Sequence, residues 1–384
     1  MNQNHLSRDR DGILVRMQDA NGMRIYNRRT PLQSRRTLAN INLINPLSDT
    51  RWDDLVARHP KSSAFHERGW LQALARTYGY EPLVVTTAPP GVRLENGVVL
   101  CRISSWLTGS RLVSLPFADH CEPLLNDPGD LEKFTEWMQE ERCRRSQDYL
   151  EIRPESELHE VPYGLRFFRS YCFHQLSLGP SLSLIFQQMH KNSFQRKIQR
   201  AERERLSYET GTSDRIVDEF YRLLLMTRRR HRLIPQPRRW FRNLVGSMGS
   251  KLQIRLARKN GTGIAATLTL QHGTSVVYKY GCSDGEFHSL GGMPFLFWRM
   301  IEESKTAGIE KIDLGRSELD NAGLITFKNR IGASQSLLTY YRCTNPNETE
   351  AKLSLESLRA RRILSILPDT VLSTAGSLLY KHLG

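Results

Sequence analysis

What this chain of 384 residues lacks already narrows its function. Its six cysteines, at 101, 121, 143, 172, 282 and 343, never stand in a C-x-x-C spacing. That argues against a structural zinc site and against a disulfide framework, and points to a reducing cytoplasm. No apolar run reaches the ~18 residues that suggest a membrane span, and the first residues lack the apolar core of a signal peptide. Acid is also short: 40 Asp and Glu face 55 Lys and Arg, a formal charge of +15. Such a surface attracts phosphorylated cofactors, RNA or anionic lipid headgroups, unless arginine merely replaces lysine on a solvated face.

What is present reads as a soluble globular protein, with 39% hydrophobic and 25% charged residues. The length suggests two domains. Residues 1–41 hold eight Arg and three Asp without periodicity and read as a basic, disordered lead-in; an organelle transit segment is the alternative. A first domain is expected over 42–180 and a second over 181–345. The first holds a helical pattern after Ser62-Ser63, strand-like runs at 81–87, 97–104 and 111–116, a helix near 130–145 and the run YLEIRP at 149–154. The second holds a helix over 214–231 and three antiparallel strands over 251–284, turning at Asn260-Gly261 and His272-Gly273. A helix then opens at Pro294 and ends at Gly308, before the strands KIDLGR (311–316) and SLLTYYRC (336–343). Trp137 precedes Leu150 by 13 residues and Trp298 precedes Ile312 by 14, so the halves read as two copies of one α/β unit. Residues 346–384 suit an amphipathic helix broken at Pro368, docked on the protein or lying on a membrane surface.

Chemistry is suggested in three places. The strand VVYKYG, carrying Tyr280, leads through CSDGEFHSLGGMP to the helix at Pro294. This loop is neither Walker A nor G-x-G-x-x-G. Gly291, Gly292 and Met293 would nonetheless let a pyrophosphate approach the free N–H groups of a helix start. Asp119, His120 and Asp313 are candidate bases for an amine's proton. Against that stand a surface role for His120 and a buried ion pair of Asp313 with Arg316 or Lys328. Arg153 and Arg316 fall at matching strand ends, where either would fork onto a carboxylate or phosphate or join an interdomain salt bridge. Arg196, Lys197, Arg230 and His231 lie in two basic clusters suited to a polyanionic donor or acceptor. Pro235 and Pro237 are expected to stiffen a loop at the pocket rim.

The segments SLPFADHCEPL, LEIR, KNSFQRKIQRAERE, TRRRHRLIPQP, IDLGR and GLITFK with Ile331-Gly332-Ala333 together resemble the tandem-GNAT family related to Fem-type peptidoglycan transferases. They are more closely similar to the acetyltransferase-like proteins of bacterial cellulose and exopolysaccharide systems. The resemblance covers about residues 45–345 and implies an α/β (α+β) fold of two tandem GNAT-like units, the first degenerate. Each unit is then a mixed, largely antiparallel sheet flanked by helices, and the second binds the donor. It also implies an N-acyltransferase using acyl-CoA, most simply acetyl-CoA, without a metal. The acceptor would be an amine of a cell-envelope, glycan or lipid-linked precursor. Phe327 and Lys328 match the family's FK pair, which lies by the acceptor pocket, its lysine holding charged substrate. Fem-type enzymes take their acyl group from aminoacyl-tRNA and many carry a long helical hairpin, which this chain lacks. A tRNA donor and a non-catalytic module binding an anionic polymer stand as alternatives. The implied location is cytoplasmic, with peripheral contact at the inner membrane face. Arg316 and Lys328 are expected to open onto one pocket.

Overall fold

A computed structural model describes residues 41–344 except 128 and 159, together with 376, 378–382 and 384. The lead-in over 1–40 and most of the tail after 345, including its break at Pro368, lie outside the described residues. The first half runs β1 (Asn42–Ile44), α1 (Thr50–Arg58), α2 (Arg68–Tyr78), β2 (Glu81–Thr86), β3 (Val98–Ser105), β4 (Gly109–Val113), α3 (Asp130–Arg144) and β5 (Tyr149–Ile152). The second begins with β6 (Arg166–Ser177), α4 (Leu182–Gln188), α5 (Arg196–Arg203), β7 (Ser207–Gly211), α6 (Asp214–Arg230) and α7 (Arg238–Met248). It continues through β8 (Leu252–Lys259), β9 (Thr262–His272), β10 (Ser275–Ser283), α8 (Gly292–Thr306), β11 (Lys311–Ser317), α9 (Ala322–Arg330) and β12 (Ser334–Thr344).

The described strands form one twelve-stranded sheet in the order β1-β2-β3-β4-β5-β12-β6-β11-β10-β9-β8-β7. Within it only β4–β5 and β10–β11 pair in parallel. Each parallel pair follows a meander and is bridged by a helix, α3 or α8, because parallel neighbours need a crossover. The fold is thus α/β with two like-built, largely antiparallel units flanked by helices. β12 lies at the seam, pairing Tyr341–Thr344 with β5 and Ser334–Arg342 with β6.

Across the two halves α2 packs on α7, with Trp70 and Trp240 edge to face at 5.2 Å. Gly69 permits this contact, since a Cβ there would lie 2.5 Å from the Ser247 carbonyl oxygen. Two expectations are corrected. Pro237 does not stiffen a rim loop: it is the residue from which α7 starts, at φ −66°. The basic stretch 191–205, whose pattern suggests one helix, is a π-type turn over Lys191–Gln195 followed by α5. Among the described residues no helix is long and apolar enough to cross a membrane.

Candidate active site

β10 and β11 pair only from Ser275–Val277 to Lys311–Asp313, after which their ladder stops. Both strands then carry an irregularity: β10 between Tyr278 and Tyr280 against β9, β11 between Asp313 and Arg316 against β6. An extra residue bends a strand and re-aims its side chains. In β11 the bend passes through Gly315 at φ +69°, which donates its N–H to Asp313 Oδ1 at 2.6 Å. A Cβ on Gly315 would lie 3.1 Å from Asp119 Oδ2, so glycine also lets the 114–124 loop come close.

That loop delivers Asp119 and His120. Asp119 Oδ2 accepts from Lys279 Nζ at 2.7 Å, its Oδ1 lies 3.8 Å from Arg316 Nε, and its backbone oxygen accepts from the Tyr340 hydroxyl at 2.5 Å. Burial would raise the Asp119 carboxyl, but Lys279 and Arg316 hold it below the usual carboxylate range. His120 is buried edge-on between Phe65 and Phe173, so the surface alternative does not hold. Its Nε2 donates to Asp313 Oδ2 at 2.8 Å, and its Nδ1 stands 3.4 Å from Glu155 Oε2 without forming a hydrogen bond. Burial would lower the imidazole; the Glu155 and Asp313 carboxylates outweigh it and raise its pKa to about 9. At neutrality His120 is therefore protonated, a proton donor and not the base expected. Asp313 pairs with His120 and the Gly315 N–H, and with neither Arg316 nor Lys328.

Lys328 reaches the same bend from α9, whose first turn is capped by Asn321 accepting from the Leu324 N–H at 3.1 Å. Its buried ammonium donates to the carbonyls of Gly315 at 2.8 Å and Arg316 at 3.1 Å. Burial lowers its pKa to about 8 against the pull of Asp119 and Asp313. Lys328 and Arg316 thus meet through the backbone, the Lys328 ammonium donating to the Arg316 carbonyl. Arg316 stacks 4.0 Å from the Tyr171 ring and 5.2 Å from Tyr340, and Arg153 covers Tyr340 at 5.1 Å. Arg153 also donates to Glu151 and to the Leu115 carbonyl, bracing the loop that carries Asp119. Phe327 packs with Phe194 and Phe297, and Tyr280 bonds Trp240 and Gln236, so both are core contacts. The cluster meets solvent at Asp119, Glu155 and Arg316, which are half-buried. Next to that opening His120 Nδ1, Arg316 Nη1 and Ser317 Oγ are buried without a hydrogen-bond partner.

A second group surrounds the start of α8. Lys197 donates to the Ser289 carbonyl at 3.3 Å and Arg230 to that of Ser283 at 3.0 Å. His288 bonds Ser283 Oγ at 2.9 Å, and its pKa is lowered by burial and then by Arg230. His231 is lowered by burial and by the same arginine. Gly291 stands at φ +80° where a Cβ would lie 2.4 Å from the Lys197 carbonyl oxygen; Gly292 faces Ala265, and Met293 packs into two cores. The two glycines therefore let α8 pack against α5 and β9. Arg196 is exposed on α5. At ~3.3 Å per residue, Ser283 of this group lies about 13 Å along β10 from Lys279 of the first. Lys279, Glu155 and Tyr340 escaped the sequence reading; only Lys279 left a signal, a lone charge in the apolar strand VVYKYG. Among the described residues no group of three or more His, Cys, Asp or Glu is arranged to hold a metal ion.

Residues 188–328 match a family model described as an acetyltransferase (GNAT) domain. No curated protein sequence matches the chain. Among solved structures the chain is similar to FemX at 12% identity and a TM-score of 0.64, over 77% of this chain and 95% of that one. It is similar to the C-terminal domain of a putative lysylphosphatidylglycerol synthetase from Agrobacterium fabrum at 16% identity and 0.51, over 85% and 96%. A tandem GNAT protein from the clavulanic acid biosynthesis pathway aligns at 13% identity and 0.50, over 80% and 100%. At such identities the likeness is one of fold alone, the tandem GNAT fold.

Proposed function

We propose that this protein is an N-acyltransferase that moves an acyl group from acyl-CoA to an amine of a cell-envelope or exopolysaccharide precursor. The observation that carries the reading is the acetyltransferase match over residues 188–328, which takes in the group at the start of α8 and, of the charged cluster, Lys279, Asp313, Arg316 and Lys328. Acetyl-CoA is the simplest donor. Its phosphates would meet the first N–H groups of α8 with Lys197, Arg230 and exposed Arg196, where positive charge and a helix start favour anions.

The acceptor ammonium enters at the half-buried edge, drawn by Asp119 and Glu155. It must lose a proton before its nitrogen attacks the thioester carbonyl, and a carboxylate there takes that proton. The unpaired N–H of Arg316 faces the same edge and suits the oxyanion that forms as the carbon–nitrogen bond is made. When the carbon–sulfur bond breaks, the protonated His120 supplies the proton that the thiolate needs, and the neutral imidazole so formed takes the second proton shed by the new amide nitrogen. Lys328 holds the bend of β11 that sets these distances. A lipid-linked acceptor would bring the protein to the inner membrane face.

Thermal shift with coenzyme A, followed by thiol release from acetyl-CoA across a panel of amine-bearing glycans, tests the reading. Ligand at a hundred times its Kd adds about 2.7 kcal/mol of stability, so the melting temperature should rise. No rise with millimolar coenzyme A, and no thiol release with any amine, would overturn it. The surplus of 55 basic over 40 acidic residues supports a second reading, an aminoacyl-tRNA donor. In that case tRNA alone would shift the melting point, and salt would abolish the shift.

A further inference from the structure

The last described residues do not lie loose on the surface. Residues 378–382 are helical and enter a groove between β3–β4 of the first half and the 232–237 loop of the second. A helix leaves its last carbonyls without partners inside the helix. Here the groove supplies them. Arg111, itself only 2% exposed, donates Nε to the Gly384 carbonyl at 2.7 Å and Nη2 to that of His382 at 2.8 Å. The Tyr80 hydroxyl sits 3.1 Å from the Tyr380 carbonyl and 3.2 Å from that of Lys381, and accepts from the Gly384 N–H at 3.1 Å. Thr108 donates to the His382 carbonyl at 2.6 Å, and Ser105 Oγ bonds the His382 ring at 2.8 Å.

One side chain anchors the segment. The Tyr380 ring packs 5.5 Å from Phe117, and its hydroxyl donates to the Ile234 carbonyl at 3.0 Å. Take the segment away, and Arg111 Nε and Nη2 and the Tyr80 hydroxyl lose the partners that the segment supplies, while Arg111 Nη1 stays tied to Thr108. The groove then presents a fixed guanidinium and a phenol beside an aromatic floor, donors and an acceptor placed for a ligand. The chemistry they select is the carbonyl-rich end of a short helix with an aromatic residue ahead of it, since cations and hydroxyls satisfy helix C-termini. Phe117, the floor of the groove, stands two residues before Asp119 and at φ +60°, so the occupant touches the loop that builds the charged cluster.

We propose that this groove is a peptide-binding site and that Tyr380–Gly384 is its intramolecular ligand. A ligand in the same chain competes at an effective concentration on the order of millimolar, so wild-type protein should bind an added peptide poorly. The probe is a fluorescein-labelled peptide with the sequence GSLLYKHLG, that of residues 376–384, and the readout is anisotropy on the full chain. Tyr380→Ala removes the anchor of the internal copy and should tighten peptide binding at least tenfold over wild type. Adding Tyr80→Phe, which keeps the ring and deletes the hydroxyl, should weaken it again by tenfold or more. Equal binding by wild type and Tyr380→Ala, or indifference to Tyr80→Phe, overturns the proposal. Should Tyr380→Ala fail to fold, hydrogen exchange of the wild-type tail with and without millimolar unlabelled peptide decides. Faster exchange of residues 378–382 in its presence supports the site, and unchanged exchange sinks it.

Discussion

His120 carries a charge in a place where water would rarely tolerate one. It is 2% exposed, and burial alone would strip its proton. Two carboxylates reverse that, so its folded pKa of about 9 lies above the ~6.5 of an unfolded histidine. A raised pKa contributes stability that is complete below pH ~6.5 and lost as pH climbs through 9. Lys328 has the opposite sign: its folded pKa of about 8 is below the unfolded ~10.4. The unfolded chain then holds the extra proton, and this group adds stability as pH rises from 8 towards 10. Other histidines, whose pKa values burial lowers, gain stability over pH 6.5 to 8 in wild type and variant alike, so the difference between wild type and His120→Asn in urea unfolding isolates His120. That difference should shrink by on the order of 2 kcal/mol from pH 6.5 to 8; a constant difference would assign the titration elsewhere. Lys328→Ala leaves two buried carbonyls unpaired, at about 1–3 kcal/mol, and lets the β11 bend drift. Its kcat/KM for acyl transfer should fall by about a hundredfold or more, the scale of losing one preorganised site group. Wild-type activity in a folded variant would remove Lys328 from the site.

At the scale of elements, the bend in β11 is the feature on which the cluster turns. Gly315→Ala asks an L-residue to hold φ +69° and sets a methyl 3.1 Å from the Asp119 carboxylate. The left-handed conformation costs about 1–2 kcal/mol, and the crowding presses on the Lys279–Asp119 pair. A melting point lowered by several degrees, with transfer activity reduced more than stability explains, is the expected outcome. The sequence makes part of this element legible: Asp313, Arg316 and Lys328 lie on or beside its bend, where Asp313 pairs with His120 and Lys328 holds the Gly315 and Arg316 carbonyls. The three-strand meander before it was marked by its Asn-Gly and His-Gly turns. β6 was invisible for a physical reason. Its residues Tyr171, Cys172, Phe173 and His174 are all buried, so the alternation that betrays a half-exposed strand is missing. Its outer half instead exposes Arg166 and Phe167, which reads as a loop. α7 is hidden by the prolines before it, whose pattern reads as a stiff rim although Pro237 sits at the helix start.

On the scale of the whole molecule, the twin layout of meander, helix and parallel strand could be read from spacing, but the join between the copies could not. β12 is the last strand described in sequence, yet it lies between β5 and β6 and supplies Tyr340, which donates to the Asp119 carbonyl and is covered by Arg153 and Arg316. No local pattern announces a pairing between Tyr341 and Ile152, because register between distant segments is decided by packing and not by propensity. The consequence is mechanical. One core cluster runs from Trp52 and Trp70 in the first half to Trp240 and Tyr280 in the second, and the sheet is unbroken across the seam. The halves should therefore melt together although each resembles a domain. Phe134→Ala tests this from far outside the second half, since Phe134 is fully buried in the separate cluster under β5. Such a truncation costs about 3–5 kcal/mol. In a calorimetric scan it should move a single peak downward as a whole, because loss of β5 unpairs β12 and unseats Tyr340. A peak that splits, leaving one component at the wild-type temperature, would show that the seam transmits no stability and that Tyr340 is held by the second half alone.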